Sequence, residues 1–182
     1  MIENVITTLQ KKQLILYPTD TVWGIGGDAT NSSVVRKIYS LKQREDSKAL
    51  IVLVNSITML QNYVDDFPER AFSLIEEDRP TTIIYKKGKN LAYNLLAQDK
   101  SIGIRIPKHE FCIEIITRFG KPIISTSANL SGQPTPQNFK SISNEILNGV
   151  DYIVPNFENE GTFQPSRIIK IEADGSITLL RP

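Results

Sequence analysis

Residues 49–54 read ALIVLV, six apolar side chains in succession. A strand points alternate side chains to opposite faces, so a run with no polar member must be covered on both. That calls for a layered α/β protein rather than a half-exposed sheet. The rest of the chain supplies the layers. Ile2 to Lys11 reads as a helix, with Ile2, Val5, Ile6 and Leu9 at helical spacing. Asn31 caps a second helix that runs to about Gln43, with Val34, Val35, Ile38, Tyr39 and Leu41 inward. Further helices are expected over Phe67–Glu77, Leu91–Ala97, Glu110–Phe119 (stopped by Gly120) and Asn138–Leu147 (ended by Gly149). Strands are expected over Leu14–Tyr17, Thr81–Tyr85, Ser101–Ile106, Ile123–Thr126, at Ile153, and over Ser166–Ile171 and Ile177–Leu180. Asp174-Gly175 marks a hairpin between the last two. The alternation implies one α/β domain over 1–182 with a mixed sheet.

A chain of 182 residues buries enough surface to fold without a metal or disulfide staple. Its single cysteine, Cys112, and single histidine, His109, rule out Cys/His zinc clusters. Net charge is +1, so no global basic field demands nucleic acid. Between Arg36 and Lys121, however, 15 of the 21 basic residues face 11 of the 20 acids, a hint of a basic side. The N-terminus lacks the pattern of a secretory signal, and no apolar run is long enough to span a membrane. A cytoplasmic setting is expected.

Four stretches carry chemistry. In LILYPTDTVWGIGGDATN, residues 14–31, a strand breaks at Pro18 into hydroxyls, one carboxylate and glycines. Thr19 and Thr21, two apart, direct their hydroxyls the same way. Gly24-Ile25-Gly26-Gly27-Asp28-Ala29 loosely fits a dinucleotide fingerprint, but the strand ends several residues early and the helix cap is Asn31. The glycines read either as a turn over the core or as a close approach to a ligand. In LKQREDSKAL, Lys42, Arg44 and Lys48 either answer a helix C-terminus through its dipole or clamp phosphates. In SIGIRIPKH, Arg105 interrupts an apolar strand and needs an internal acid or a substrate carboxylate. In KPIISTSANLSGQPTP, Ser125, Thr126, Ser127, Asn129 and Ser131 follow a short strand. Without a G-x-S-x-G elbow or an adjacent base, this reads as an anion- or nucleotide-binding loop rather than a nucleophile.

Together, YPTDTVWGIGGDATN, KIYSLKQREDSKALIVLV, IGIRIPKH and PIISTSANLSGQPTP resemble the YrdC family, the threonylcarbamoyl-AMP synthases, in order and approximate spacing. The likeness runs from about Leu14 to Pro136, with weaker matches at QPSRIIKI and ITLLRP. The chain resembles the short, single-domain members. The resemblance implies a twisted open mixed parallel/antiparallel sheet with flanking helices and a large concave, positively charged cleft. It implies condensation of L-threonine, bicarbonate and ATP to threonylcarbamoyl-AMP with release of pyrophosphate, for modification of A37 in tRNA by partner machinery. Mg²⁺ is expected to arrive with ATP, with no protein-bound metal cage. By position, Thr21, Arg105, Ser127 and Ser166 would contact threonine. Lys42, Arg44, Lys48, Ser101, Asn129 and Arg181 would contact ATP, with Lys42 and Arg44 at the reacting phosphates. Members are also described as binding double-stranded RNA, so the rival reading is an RNA-binding protein of this fold without synthase activity.

The chain departs from the family at Asp78-Arg79-Pro80-Thr81-Thr82, where a proline-glycine-proline segment is usual, and at Trp23, Leu53 and Ser166-Arg167-Ile168. The Lys42-Gln43-Arg44 and Ser127-Ala128-Asn129 signatures are intact, which favours the enzyme. Replacing Arg44 with alanine is therefore expected to collapse synthesis while leaving the melting temperature nearly unchanged, since a cleft cation adds little stability. Unaltered activity in that variant would remove Arg44 from the phosphate site.

Overall fold

The computed structural model describes residues 1–43, 50–157 and 164–182. Helices α1 (Ile2–Gln10), α2 (Ser32–Lys42), α3 (Ile57–Gln61), α4 (Arg70–Glu76), α5 (Glu110–Phe119) and α6 (Asn144–Gly149) flank a sheet. Its strands are β1 (Ile15–Tyr17), β2 (Gly24–Gly26), β3 (Ile51–Leu53), β4 (Thr81–Tyr85), β5 (Ile102–Arg105), β6 (Ile123–Ser127), β7 (Tyr152–Ile153), β8 (Arg167–Ile171) and β9 (Ile177–Arg181). The strand order is β7-β1-β2-β6-β3-β5-β4-β8-β9. Pairs β1/β7, β3/β5 and β4/β8 are parallel and the other five are antiparallel, so the sheet is open and mixed as expected.

The two faces of the sheet are treated differently. Leu16, Ile25, Ile124, Val52, Ile104, Ile83 and Ile169 point into the larger core, against Val34, Val35 and Ile38 of α2, Leu74 of α4 and Ile146 of α6. Ile15, Tyr17, Ile123 and Leu53 point the other way, under Val5, Ile6 and Leu9 of α1 and Phe111, Ile115 and Ile116 of α5. Leu53 is paired with Arg105, and Ile51 with both Ser125 and Gly103. Paired residues share a face, so the face that is apolar over β1 and β6 turns polar toward β5. This change of character sets where the site lies.

Local signals held at the helix ends. The Asn31 side chain accepts from the amides of Ser33 (3.0 Å) and Val34 (3.2 Å), relieving orphan donors of α2. Gly120 closes α5 at φ +71°, where a side chain would be strained. Other expectations give way to tertiary structure. Leu91–Ala97 forms only a 3₁₀ turn at Tyr93–Leu95. Asn138–Leu147 splits into a 3₁₀ turn at Phe139–Ser141 and α6, because Ile142 between them is extended and buried. Helix α3, capped by the Ser56 hydroxyl on the Met59 amide, carries too short a periodic pattern to be foreseen.

The largest revision is β2. The Gly24-Ile25-Gly26 stretch is neither a turn nor a dinucleotide loop but a strand paired on both sides, to β1 and β6. Its glycines serve the Tyr17 ring, which lies over them and donates its hydroxyl to the Ile124 carbonyl at 3.2 Å. A Cβ at Gly26 would fall 2.6 Å from Tyr17 Cε1 and 2.8 Å from the Ile124 oxygen. The Gly26→Ala variant is expected to lose about 1–3 kcal/mol through overpacking, read as a lower denaturation midpoint. An unchanged midpoint would show that the ring can move aside.

Candidate functional site

The site grows from the strand that ends at Arg105. Gly103 and Arg105 share a face of β5, so the arginine emerges where the sheet turns polar. Only 4% of Arg105 is exposed, so its charge needs an internal answer. Asp20, in the loop between β1 and β2, provides it: Arg105 Nη1 is hydrogen-bonded to Asp20 Oδ1, with 4% and 8% of the two side chains exposed. The internal-acid reading of Arg105 is thus realised, and Asp20 is a site residue that sequence reasoning had left unassigned. Its other oxygen accepts from the Lys108 amide at 3.0 Å, tying the loop to the segment that leads into α5.

The same guanidinium reaches Thr21, with Nη2 3.3 Å from Thr21 Oγ1. Thr21 and Thr19 are 2.9 Å apart through their hydroxyls, as their spacing suggested. Arg105 Nε is buried with no hydrogen-bond partner among the described residues. An orphaned donor of a buried cation is costly, and this one belongs to a residue that lines a cleft.

That cleft has a volume of about 180 Å³ and is lined by Thr21, Arg105, Ser125, Ser127, Ser166 and Arg181, among others. Ser166 is pinned from both sides. Its hydroxyl lies 2.8 Å from Thr82 Oγ1, and its carbonyl accepts from Arg181 Nε (2.9 Å) and Nη2 (2.7 Å). Burial first, and then the nearby Arg105 charge, pull Arg181 below the usual arginine range. Two guanidinium groups within electrostatic reach, with Asp20 paired to one of them, leave the cleft receptive to an anion. Desolvation raises the Tyr17 and Cys112 ionisations far above neutrality, so both stay protonated beside it.

Of the residues expected at the site, Thr21, Arg105, Ser127, Ser166 and Arg181 converge on this one cleft from separate stretches of chain. Lys42 sits behind it. The lysine is 1% exposed, and its Nζ donates to the carbonyls of Ser127 (2.5 Å) and Asn129 (2.6 Å), while the Ser131 amide bonds the Lys42 carbonyl (2.8 Å). It braces the loop after β6 against the end of α2. Asn129 donates to the carbonyls of Leu130 (2.9 Å) and Gln133 (2.7 Å), and its Oδ1 is buried with no partner among the described residues. Ser101 lies just before β5, four residues from Arg105, where its amide donates to Asp99 Oδ1 at 3.0 Å. Arg44 and Lys48 lie outside the described residues. Asp20 and Thr82 went unassigned because their partners are distant in sequence. The one available signal was an acid lying between two threonines and an unpaired strand arginine.

The chain is thus an open mixed α/β sheet whose uncovered face ends in paired guanidinium and hydroxyl groups. The comparisons give it a lineage. The family model described as telomere recombination, Sua5/YciO/YrdC, matches residues 7–182. A threonylcarbamoyl-AMP synthase of Pseudoalteromonas translucida is 34% identical over 167 residues, covering 90% of this chain and 89% of the relative. One from Bacillus subtilis is 33% identical over 141 residues, covering 76% of this chain and 41% of the relative. The structure of P. abyssi Sua5 complexed with L-threonine superposes with a TM-score of 0.90 at 25% identity, covering 100% of this chain and 53% of that one. The chain belongs to the Sua5/YciO/YrdC family.

Removing Asp20 isolates a buried cation. The Asp20→Ala variant is expected to lose about 3–5 kcal/mol of unfolding free energy, measured by denaturant titration. A loss below about 1 kcal/mol, the value of an exposed pair, would mean that water replaces the carboxylate.

Proposed function

We infer that this chain is a threonylcarbamoyl-AMP synthase, which condenses L-threonine, bicarbonate and ATP to threonylcarbamoyl-AMP and pyrophosphate. The observation that carries the reading is the convergence of Thr21, Arg105, Ser127, Ser166 and Arg181 on one cleft. Family membership and the relatives of that name support it. The volume of about 180 Å³ suits one small amino acid and falls below the roughly 300–1,000 Å³ of a drug-sized pocket. ATP would therefore lie toward the mouth.

The chemistry follows from the groups. Asp20 occupies Nη1 of Arg105, which leaves the Nε–Nη2 edge as a fork for the threonine carboxylate. The buried orphan at Nε then gains its missing acceptor. The threonine amine forms a C–N bond to the carbon of bicarbonate with loss of water, and the resulting carbamate oxygen attacks the α-phosphorus. Release of pyrophosphate breaks the α–β phosphoanhydride, so negative charge grows on the leaving β-phosphate. Arg44 and Lys48 are assigned to that charge, with Arg181, Asn129 and Ser101 on the nucleotide. Lys42, through the carbonyls it braces, sets the position of Ser127. No side-chain nucleophile is called for: the work is positioning and charge stabilisation. Mg²⁺ enters as part of the ATP substrate. Asp20, already bound to Arg105 and to the Lys108 amide, is not assigned to it. The product would pass to machinery that modifies tRNA.

Pyrophosphate release is expected only when ATP, L-threonine and bicarbonate are all present, and to stop when any one is omitted. Release that ignores threonine would overturn the reading. No release, from a protein that still binds RNA, would replace it with the binding-module alternative.

A further inference from the structure

We propose that Thr19 is a positioning residue that makes Thr21 a hydrogen-bond acceptor only, and so selects ligands carrying an α-amino group beside their carboxylate. The inference rests on the synthase reading and concerns how its site tells an amino acid from other small acids.

The argument is a count of protons. Thr19 Oγ1 lies 2.8 Å from the Val22 carbonyl, which can only accept, so the single Thr19 hydroxyl proton is committed there. Thr19 Oγ1 also receives the Thr21 amide at 3.1 Å. The 2.9 Å contact between the two hydroxyls must then be donated by Thr21. That commits the only proton of Thr21 as well. What Thr21 has left is lone pairs, one taken by Arg105 Nη2 at 3.3 Å. Toward the cleft that it lines, Thr21 offers an acceptor and no donor.

Either threonine alone would be ambivalent, since a free hydroxyl rotates to suit a donor or an acceptor. The relay from Arg105 through Thr21 and Thr19 to the Val22 carbonyl removes that freedom. The result is a bipartite recognition element. The Nε–Nη2 edge of Arg105 takes a carboxylate, and the adjacent Thr21 oxygen takes an N–H. In an α-amino acid the two groups are separated by one carbon, which matches a guanidinium nitrogen and a hydroxyl oxygen 3.3 Å apart. A carboxylate ligand without the amine would leave the Thr21 lone pair desolvated and unpaired, the type of loss on which polar discrimination depends.

The test compares binding of L-threonine with that of 3-hydroxybutanoate, the same skeleton without its amine, by calorimetry. The wild-type protein is expected to favour L-threonine by roughly ten-fold or more, the value of a hydrogen bond to a charged group. Thr19→Val should lower that ratio by about ten-fold, and Thr19→Ser, which keeps the hydroxyl, should restore it. A ratio is insensitive to a general loss of stability, so a purely structural Thr19 would weaken both ligands alike and overturn the proposal. Should Thr19→Val fail to fold, the wild-type ratio and Thr21→Val decide. Equal affinities in the wild type, or an unchanged ratio in Thr21→Val, overturn it. A wild type that binds neither ligand and releases no pyrophosphate removes the synthase reading and this inference together. Threonine-dependent release with no amine preference removes the inference alone.

Discussion

The buried pair between Arg105 and Asp20 is the interaction on which the rest of the site depends. A guanidinium placed at the end of a central strand would destabilise the fold unless a carboxylate met it. Asp20 meets it from a loop more than eighty residues earlier in the chain. One carboxylate oxygen takes the guanidinium and the other takes the Lys108 amide, so the loop after β1, the end of β5 and the approach to α5 are joined at one point. Thr21 and Thr19 are carried into place by that junction. The pair is structural and functional at once: it leaves one edge of the arginine available while meeting most of the cost of burying it.

The uncovered part of the sheet explains why the cleft is where it is. Helices α1 and α5 cover one face over β1, β6 and Leu53 of β3, using Ile15, Tyr17, Ile123 and Leu53. Toward β5 and β4, the same face presents Ser125, Gly103 and Arg105 instead. The end of the chain then returns along β8 and β9 to wall the opening with Ser166 and Arg181. Lys42 buttresses the loop after β6 from behind. A cation foreseen for phosphate is thus found with its ammonium on backbone carbonyls, where it fixes the shape of the loop that bears Ser127 and Asn129.

Helix ends and most strands were legible because their causes are local. The Asn31 cap, the Gly120 stop and the Asp174-Gly175 hairpin each depend on neighbours within a few residues. The glycines of residues 24–27 were not legible, because their cause is tertiary: the Tyr17 ring fills the space a Cβ would need at Gly26, and the Val34 side chain fills it at Gly27. The break at Ile142 likewise follows from burial rather than from periodicity. Family motifs carried the site further than pattern alone, since Thr21, Arg105, Ser127, Ser166 and Arg181 could be named before any geometry was known. Their partners could not.

The sequence by itself determined the class of fold, most of the strands and helices that build it, and the types of side chain on offer: hydroxyls, two strand-end arginines and an acid among threonines. It did so because period, caps and turn residues act over a few positions. Only the tertiary structure decided which acid answers Arg105, which way the threonine protons run, and that Lys42 faces carbonyls. The Arg105 and Lys42 pairings join groups more than eighty residues apart, the threonine relay depends on a loop conformation that no periodic pattern encodes, and a buried charge or hydroxyl takes its role from whatever the fold sets within about 3 Å of it.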